Sequence, residues 1–427
     1  MARVLLTTFG SLGDLHPYIA IAIELQRRGH EAFIGSSAAY GEKVTALGLG
    51  FRTIRPDQPD RAANPDFMRW VMDMRKGPER IVREFVIPVL RETYADTLAA
   101  AEGMDLLVTH CLTFTTPLVA EVLQLPWVST VLAPMAFFSA YDPPVLAPAP
   151  FLSLMRPLGP RMFRLLFRMA RWSVRDWCRP VHDLRCELGL SPRADPMFDG
   201  AHSPYRVLVL FSEVLAGRQP DWPENSVITG FPLYDRDGDM GLSPEIMNFL
   251  RAGPAPIVFT LGSAAVQNAG DFFDESVAAA RLLGRRAILL VGKEAGNIVT
   301  GLPDDMMTFD YAPFSELFPH AAAIVHQGGI GTTAQAMLSA RPALVTPFAF
   351  DQPDNADRVV RLGIARTLPI KKFTGIRAAR ELRRLLDEPA FAHRGNEVAS
   401  CMRSENGASR ACDAIEQLLQ DRRAVGV

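Results

Sequence analysis

At 427 residues the chain is too long for one comfortable core and points to two domains. Its 48% hydrophobic and 22% charged residues are ordinary globular composition, and 45 basic against 47 acidic side chains leave a net charge of −2, which excludes a general pull toward nucleic acid. Five cysteines without a C-x-x-C pair argue against a disulfide frame or zinc site and for a reducing cytoplasm.

From the N-terminus, "RVLLTTF" (3–9) reads as a buried strand rather than a signal peptide, "GSLGD" (10–14) as a turn, and "LHPYIAIAIELQRRGH" (15–30) has helical spacing up to Gly29. "EAFIGSS" (31–37) follows as a second strand, which makes a βαβ unit and therefore a parallel sheet. "DLLVTH" (105–110), "PWVSTVL" (126–132) and "YRVLVLFS" (205–212) continue it. Between the last two lies "RPLGPRMFRLLFRMARWSVRDWCRPVHDLR" (156–185), with Arg161, Arg164, Arg168, Arg171 and Arg175 at steps of three or four. It reads first as a core helix with a solvated arginine face, and second as an interfacial helix giving peripheral membrane contact with anionic lipid. No stretch approaches the roughly 20 apolar residues of a spanning helix.

"PDWPENSVITGFPLYDRDGDMGLSP" (220–244) has linker chemistry, rich in Pro, Gly and Asp. Its "DRDGDMG" (235–241) lacks the glycine of a calcium loop at the sixth position, so no metal is expected. The strand–helix rhythm then restarts with "PIVFTLGS" (256–263), "RRAILLVG" (285–292), "MMTFDYAP" (306–313), "AAAIVHQGG" (321–329) and "PALVTPF" (342–348). "GASRACDAIEQLLQDRRAV" (407–425) is a final amphipathic helix. The fold class is α/β, with two parallel-sheet domains in tandem.

"VHQGGIGTTAQAML" (325–338) runs from a strand into a helix through Gly328, Gly329 and Gly331. Glycines at a helix mouth leave the first-turn N–H groups open to an anion, and Thr332 and Thr333 add hydroxyls; Thr332 could instead cap the helix. A plain packing turn would also use glycine. Gly262 and Ser263 end the domain's first strand in a similar turn, so two strand ends could converge on one diphosphate. Neither turn is a Walker loop, and "TFGSLGD" has the wrong spacing for a dinucleotide fingerprint. Asp351 and Gln352 follow the fifth strand and together suit sugar hydroxyls, although Asp354 could cap a helix there.

The stretch "FDYAPFSELFPHAAAIVHQGGIGTTAQAMLSARPALVTPFAFDQPDNADRVVRLG" resembles the donor-binding signature of family 1 glycosyltransferases, and "GSLGDLHPY" resembles the N-terminal motif of their bacterial and sterol branches. "TGFPLYD", "HQGGIG" and "DQPDNADRVVRLG" are similar to the B chain of bacterial rhamnosyltransferases, with antibiotic and flavonoid enzymes as near relatives. The resemblance implies a GT-B fold, two Rossmann-like domains facing a cleft. It implies acceptor binding in 1–217, donor binding in 218–393, and a C-terminal helix in 394–427 packing back on the first domain. It implies that Tyr311 and Ala312 frame the nucleotide base. Gly262, Ser263, His326, Gly328, Gly329, Gly331 and Thr332 would hold the diphosphate, and Asp351 and Gln352 the sugar.

The implied activity is inverting transfer of a hexose or deoxyhexose to a hydroxyl of a hydrophobic lipid or polyphenol. The donor would be dTDP-rhamnose or UDP-glucose, with no cofactor. A GT-B epimerase and a non-catalytic GT-B auxiliary are the alternatives. The resemblance makes Asp14 the base, although position alone reads as a helix N-cap. His110, ending "DLLVTH", could tune it, and His16 competes for that part. His16, Phe137 and Phe138 are expected on the acceptor side, where "APMAFFSAYDPP" (133–144) is rich in aromatic and apolar groups. The oligomeric state stays open.

Overall fold

The computed structural model describes residues 1–57, 66–235, 241–297 and 299–424. Most of "DRDGDMG" therefore lies outside the described residues, as does residue 425 at the end of the expected final helix.

The N-terminal sheet contains β1 (Arg3–Thr7), β2 (Glu31–Ser36), β3 (Gly50–Thr53), β4 (Leu106–Thr109), β5 (Trp127–Val131), β6 (Arg206–Val209) and β7 (Ser226–Ile228). All pairs are parallel, in the order β3-β2-β1-β4-β5-β6-β7. The second sheet contains β8 (Ile257–Thr260), β9 (Ala287–Leu290), β10 (Met306–Phe309), β11 (Ala323–His326), β12 (Ala343–Val345) and β13 (Ala365–Thr367), also parallel, in the order β10-β9-β8-β11-β12-β13. Strands β4, β5, β8, β9, β11 and β12 are buried throughout, as expected where helices cover both faces of a parallel sheet. Strand order reverses between β1 and β4 in one sheet and between β8 and β11 in the other. Such switch points open a crevice beyond the strands' carboxyl ends, where ligands bind.

Six helices place the site. These are α1 (Leu12–Arg27), α2 (Gly159–Val174), α3 (Ile330–Leu338), α4 (Gln352–Arg361), α5 (Pro389–Arg403) and α6 (Gly407–Ala424). Helix α1 stops where Gly29 takes φ +84°: the Gly29 N–H donates to Gln26 O at 2.9 Å and the His30 N–H to Leu25 O at 3.0 Å. Those two bonds form a Schellman cap.

Two domain limits expected from sequence move. Strand β7 lies beyond residue 217 yet pairs with β6, so the first domain's sheet extends to Ile228. Residue 394 lies inside α5, which stays with the second sheet's domain: Gly395 packs against the Ala340 carbonyl. The helix that crosses back is α6. Its Ala411, Cys412, Ile415 and Leu418 join Val4, Leu6, Leu15 and Ile19 in the first domain's core. Arg28 on α1's C-cap reaches Asp413 at 2.6 Å and Glu416 at 2.8 Å.

The domains share further contacts. Phe137, Phe211 and Trp222 of the first half cluster with Ala356, Val359 and Met402 of the second. Above them an ion network crosses the boundary. The Val145 N–H donates to Asp354 Oδ1 at 2.9 Å, Arg358 bridges Asp354 and Asp142, and Arg156 meets Asp357 at 2.8 Å. Asp354 and Arg358 are buried, so each depends on the other's charge to offset desolvation. Asp354 is thus a cross-domain tie and not the helix cap its position suggested.

Candidate active site

Four glycine- or histidine-bearing strand ends flank the two switch points. On the first, Asp14 follows β1 and His110 follows β4. Ser11 caps α1: its hydroxyl accepts from the Gly13 N–H at 3.2 Å, while Asp14 Oδ2 accepts from the Ser11 N–H at 2.7 Å and the Ser11 hydroxyl at 3.1 Å. Asp14 is therefore the third residue of the helix, the far half of a capping box, and not the cap itself. Gly10 makes room for it. At φ +134° its missing Cβ would collide with the Asp14 carboxylate.

With Oδ2 held by Ser11, Asp14 turns Oδ1 toward His110 Nε2 at 3.5 Å, the outer limit of a hydrogen bond. His110 Nδ1 accepts the Leu112 N–H at 3.3 Å, so the ring's proton sits on Nε2, facing the carboxylate. Burial pushes the His110 pKa down, Cys111 and Asp14 push it up, and the balance lies at about 10. A second proton on Nδ1 would face the Leu112 N–H. Of the upward causes the neighbouring Cys111 comes first and the contact with Asp14 second. The Asp14 side chain is 33% exposed and that of His110 4%, so Asp14 is the group a ligand can reach. His16 is turned elsewhere, edge-on to Tyr234 with ring centres 5.3 Å apart.

The second switch point holds the glycine turns. Gly329, in extended conformation, is the N-cap of α3, and among the described residues no side chain bonds the helix's first-turn amides; Thr332 lies inside the helix and does not cap it. A Cβ on Gly331 would meet nothing within 4 Å. Gly328 differs: at φ +90° a Cβ would lie 2.8 Å from Val345 and 3.1 Å from the Gln352 carbonyl. One glycine leaves space and the other closes packing. The Gln327 amide touches the Cβ positions of both Gly262 and Gly329, so the turns after β8 and β11 do come together. The Gly262–Ala265 turn, carrying Ser263, also contacts α1.

His326 Nδ1 accepts the Gly328 N–H at 3.1 Å, and burial lowers its pKa to about 3. It is a neutral imidazole with Nε2–H as its remaining donor. Asp351, the residue before α4, is bonded to Asn355 Nδ2 at 2.7 Å, and that amide also donates to the Gly328 carbonyl at 2.9 Å. Burial raises the Asp351 pKa to about 7, and the charge of Asp14 across the cleft adds to the shift. Two carboxylates, one from each domain, thus look onto the same space.

Several expected contacts are spent elsewhere. Gln352 folds back so that its Oε1 accepts the Phe348 and Ala349 N–H groups at 2.8 and 3.2 Å, leaving only its NH₂ end for a ligand. The Ala312 side chain is in the second domain's core, so only its backbone can meet a base. Tyr311 is half exposed, and its hydroxyl donates to the Asp235 carbonyl. Phe137 stacks on Trp222 with centres 4.1 Å apart, as a core residue of the domain junction and not an acceptor wall. Phe138 is half-buried between Phe167 and Phe198.

Other residues emerge only from the fold. Gln327 Oε1, Thr333 Oγ1, Thr346 Oγ1 and Asn355 Oδ1 are buried atoms with no partner among the described residues, gathered around the ends of β11 and β12. Buried polar atoms are rarely left so, and a cluster of them is what a polar ligand's pocket needs. A half-turn of the Gln327 amide would keep a bond to the Thr332 hydroxyl and aim NH₂ at an anion. Asn355 sits one helical turn after Asp351, a spacing that could have signalled it. Among the described residues no group of three or more metal-ligating side chains occurs.

A model of the family 28 glycosyltransferase N-terminal domain matches residues 4–136, and one of the erythromycin biosynthesis protein CIII-like C-terminal domain matches 277–418. The chain is 32% identical to an O-mycaminosyltylonolide 6-deoxyallosyltransferase of Streptomyces fradiae, with 98% of each covered. It is 25% identical to a sterol 3-beta-glucosyltransferase of Arabidopsis thaliana, over 97% of this chain and 65% of that one. Its fold matches the glycosyltransferase VinC in complex with DTDP at a TM-score of 0.69 and 20% identity, over 98% and 100% of the two chains.

Proposed function

The chain belongs to the family 1 GT-B glycosyltransferases, and on that premise we propose that it inverts the anomeric carbon of a nucleoside-diphosphate hexose or deoxyhexose while moving that sugar to a hydroxyl of a hydrophobic small molecule. The observation that carries this reading is that Asp14, on the capped end of α1, lies near enough to Asp351 of the other domain for its charge to act there, while the first turn of α3 stays uncapped.

The diphosphate lies on the α3 amides, beside the His326 Nε2–H and the Ser263 turn, where fixed dipoles stabilise the charge that grows on the leaving oxygen. No metal is needed for that stabilisation. Asp351 accepts hydrogen bonds from sugar hydroxyls, with the Gln352 NH₂ beside it. Asp14 Oδ1 takes the acceptor's proton as its oxygen bonds to the anomeric carbon and the bond to phosphate breaks on the opposite face. His110 keeps the carboxylate oriented from behind. The S. fradiae relative's name, a 6-deoxyallosyltransferase, favours a 6-deoxyhexose such as rhamnose over glucose as the sugar moved. The O-mycaminosyltylonolide and the sterol in the relatives' names favour a large hydrophobic alcohol as acceptor.

A screen of nucleotide sugars against hydrophobic alcohols, read by mass spectrometry and by the anomeric coupling in the product's NMR spectrum, tests this. Transfer with inversion is the expected result. Donor consumption without any acceptor adduct, or retention of configuration, would overturn it.

A further inference from the structure

Helix α2 divides its circumference three ways. Phe163 and Phe167, four apart, are buried against Phe138 and Ala140. Arg161, Arg164, Arg168, Arg171 and Arg175 form a second row, and Leu165, Met169 and Trp172 a third beside it. The third row is exposed, and the 3-10 turn before α2 adds Phe151, Leu154 and Leu158; all six lie between 44% and 81% open to solvent. Scattered single exposed apolar residues are normal, but six along one short hairpin are an interaction surface.

The charge pattern says what kind. From residue 143 to 175 there are six arginines and no acidic residue, in a chain of net charge −2. The nearby acids are already engaged: Asp199 with Arg171 at 2.7 Å, and Asp176 with Arg179 at 2.7 Å. Arg161 and Arg168 pair with nothing among the described residues. A two-fold contact between copies would lay this arginine row on itself, with no carboxylate in the segment to answer it. An acid-free row of arginines beside Leu, Met and Trp fits a surface with anionic heads over an apolar interior.

We propose that α2 and the turn before it are the docking surface by which the protein settles on an anionic lipid bilayer, with Leu165, Met169 and Trp172 entering the headgroup layer and the arginines meeting phosphates. The segment falls between the two family-model matches, which end at residue 136 and resume at 277. It also borders the cleft, because Arg156 of the turn grips Asp357 of α4. A protein docked there holds its active site at the edge of the membrane, where a hydrophobic alcohol dissolves.

Co-sedimentation of the full chain with phosphatidylglycerol–phosphatidylcholine vesicles, against pure phosphatidylcholine, tests the proposal. Binding is expected only to the anionic vesicles, weakening as salt shortens the Debye length. At about fivefold per arginine, corresponding to about 1 kcal/mol each, Arg161→Gln with Arg168→Gln should weaken binding about 30-fold. Leu165→Ser with Met169→Ser and Trp172→Ser should weaken it about tenfold or more, with thermal unfolding showing each variant folded. Equal binding to both vesicle types, or unchanged binding by both variants, overturns the proposal. So does failure to bind any vesicle, whether light scattering then finds a dimer lost in the Ser variant or an acidic protein proves to be the occupant.

Discussion

Two glycine turns feed helices at the cleft, and they treat their free amides in opposite ways. At α1, Ser11 and Asp14 close a capping box, and the carboxylate is fixed in the act of satisfying the backbone. At α3, Gly329 offers no side chain and Gly331 leaves open space, so the amides stay available. A helix end whose partners come from its own sequence holds a reactive group still. One with no partners waits for a ligand. In the proposed mechanism that difference puts proton removal and leaving-group binding, the two tasks of group transfer, on separate domains.

The sharpest way to break this contrast is Asp14→Asn, which keeps an acceptor for the Ser11 N–H but loses the base. Turnover should fall by about 10²–10⁴-fold while nucleotide affinity, measured by calorimetry, and melting temperature stay near wild type. Native turnover would show that the box serves only the helix. The glycines come next. Gly328→Ala meets both a positive φ and close backbone, and should cost about 1–3 kcal/mol of stability in denaturant titration. Gly331→Val should leave stability alone and weaken nucleoside-diphosphate binding about tenfold or more; the reverse pattern would exchange their roles.

His110→Gln should move the acidic limb of the pH–rate profile with little change in donor KM, because His110 acts through Asp14; an unmoved profile means the pair is idle. Asp351 gives a smaller, signed effect. Its folded pKa of about 7 exceeds the unfolded value near ~3.9, so the native state holds the extra proton and stability falls as pH rises across that window. Asp351→Asn should flatten that slope and melt a few degrees higher than wild type above pH 7, as read by calorimetry. The smallest change is Ser11→Ala, about 1 kcal/mol from half the cap. The backbone N–H at position 11 still bonds Asp14 in that variant, so most activity should be retained.

Much of this was legible because it is local. Ten of the strands announce themselves as short apolar runs, and the glycine turns with Asp14, His326 and Asp351 lie in contiguous motifs. What stayed hidden depends on distance in the chain. Strands β3 and β13 are half-exposed edges, and β7 is three residues inside a proline-rich stretch. Phe137 looked like pocket lining because nothing local reveals Trp222 beneath it. Asp354 looked like a cap because Val145, and the Asp142 that shares Arg358 with it, come from the other domain. That Gln352 turns its Oε1 back to its own loop, leaving only the NH₂ for a sugar, is likewise invisible in sequence.

The clasp made by α6 bears on engineering. The chain crosses from the first domain to the second once and then returns, so the second is an insertion between two parts of its neighbour. A chimera joined only in the linker would carry a foreign α6 against Leu15 and Ile19 and leave Arg28 facing the wrong partners. Exchanging sugar specificity between such enzymes therefore calls for two seams, the second between α5 and α6 at residues 404–406.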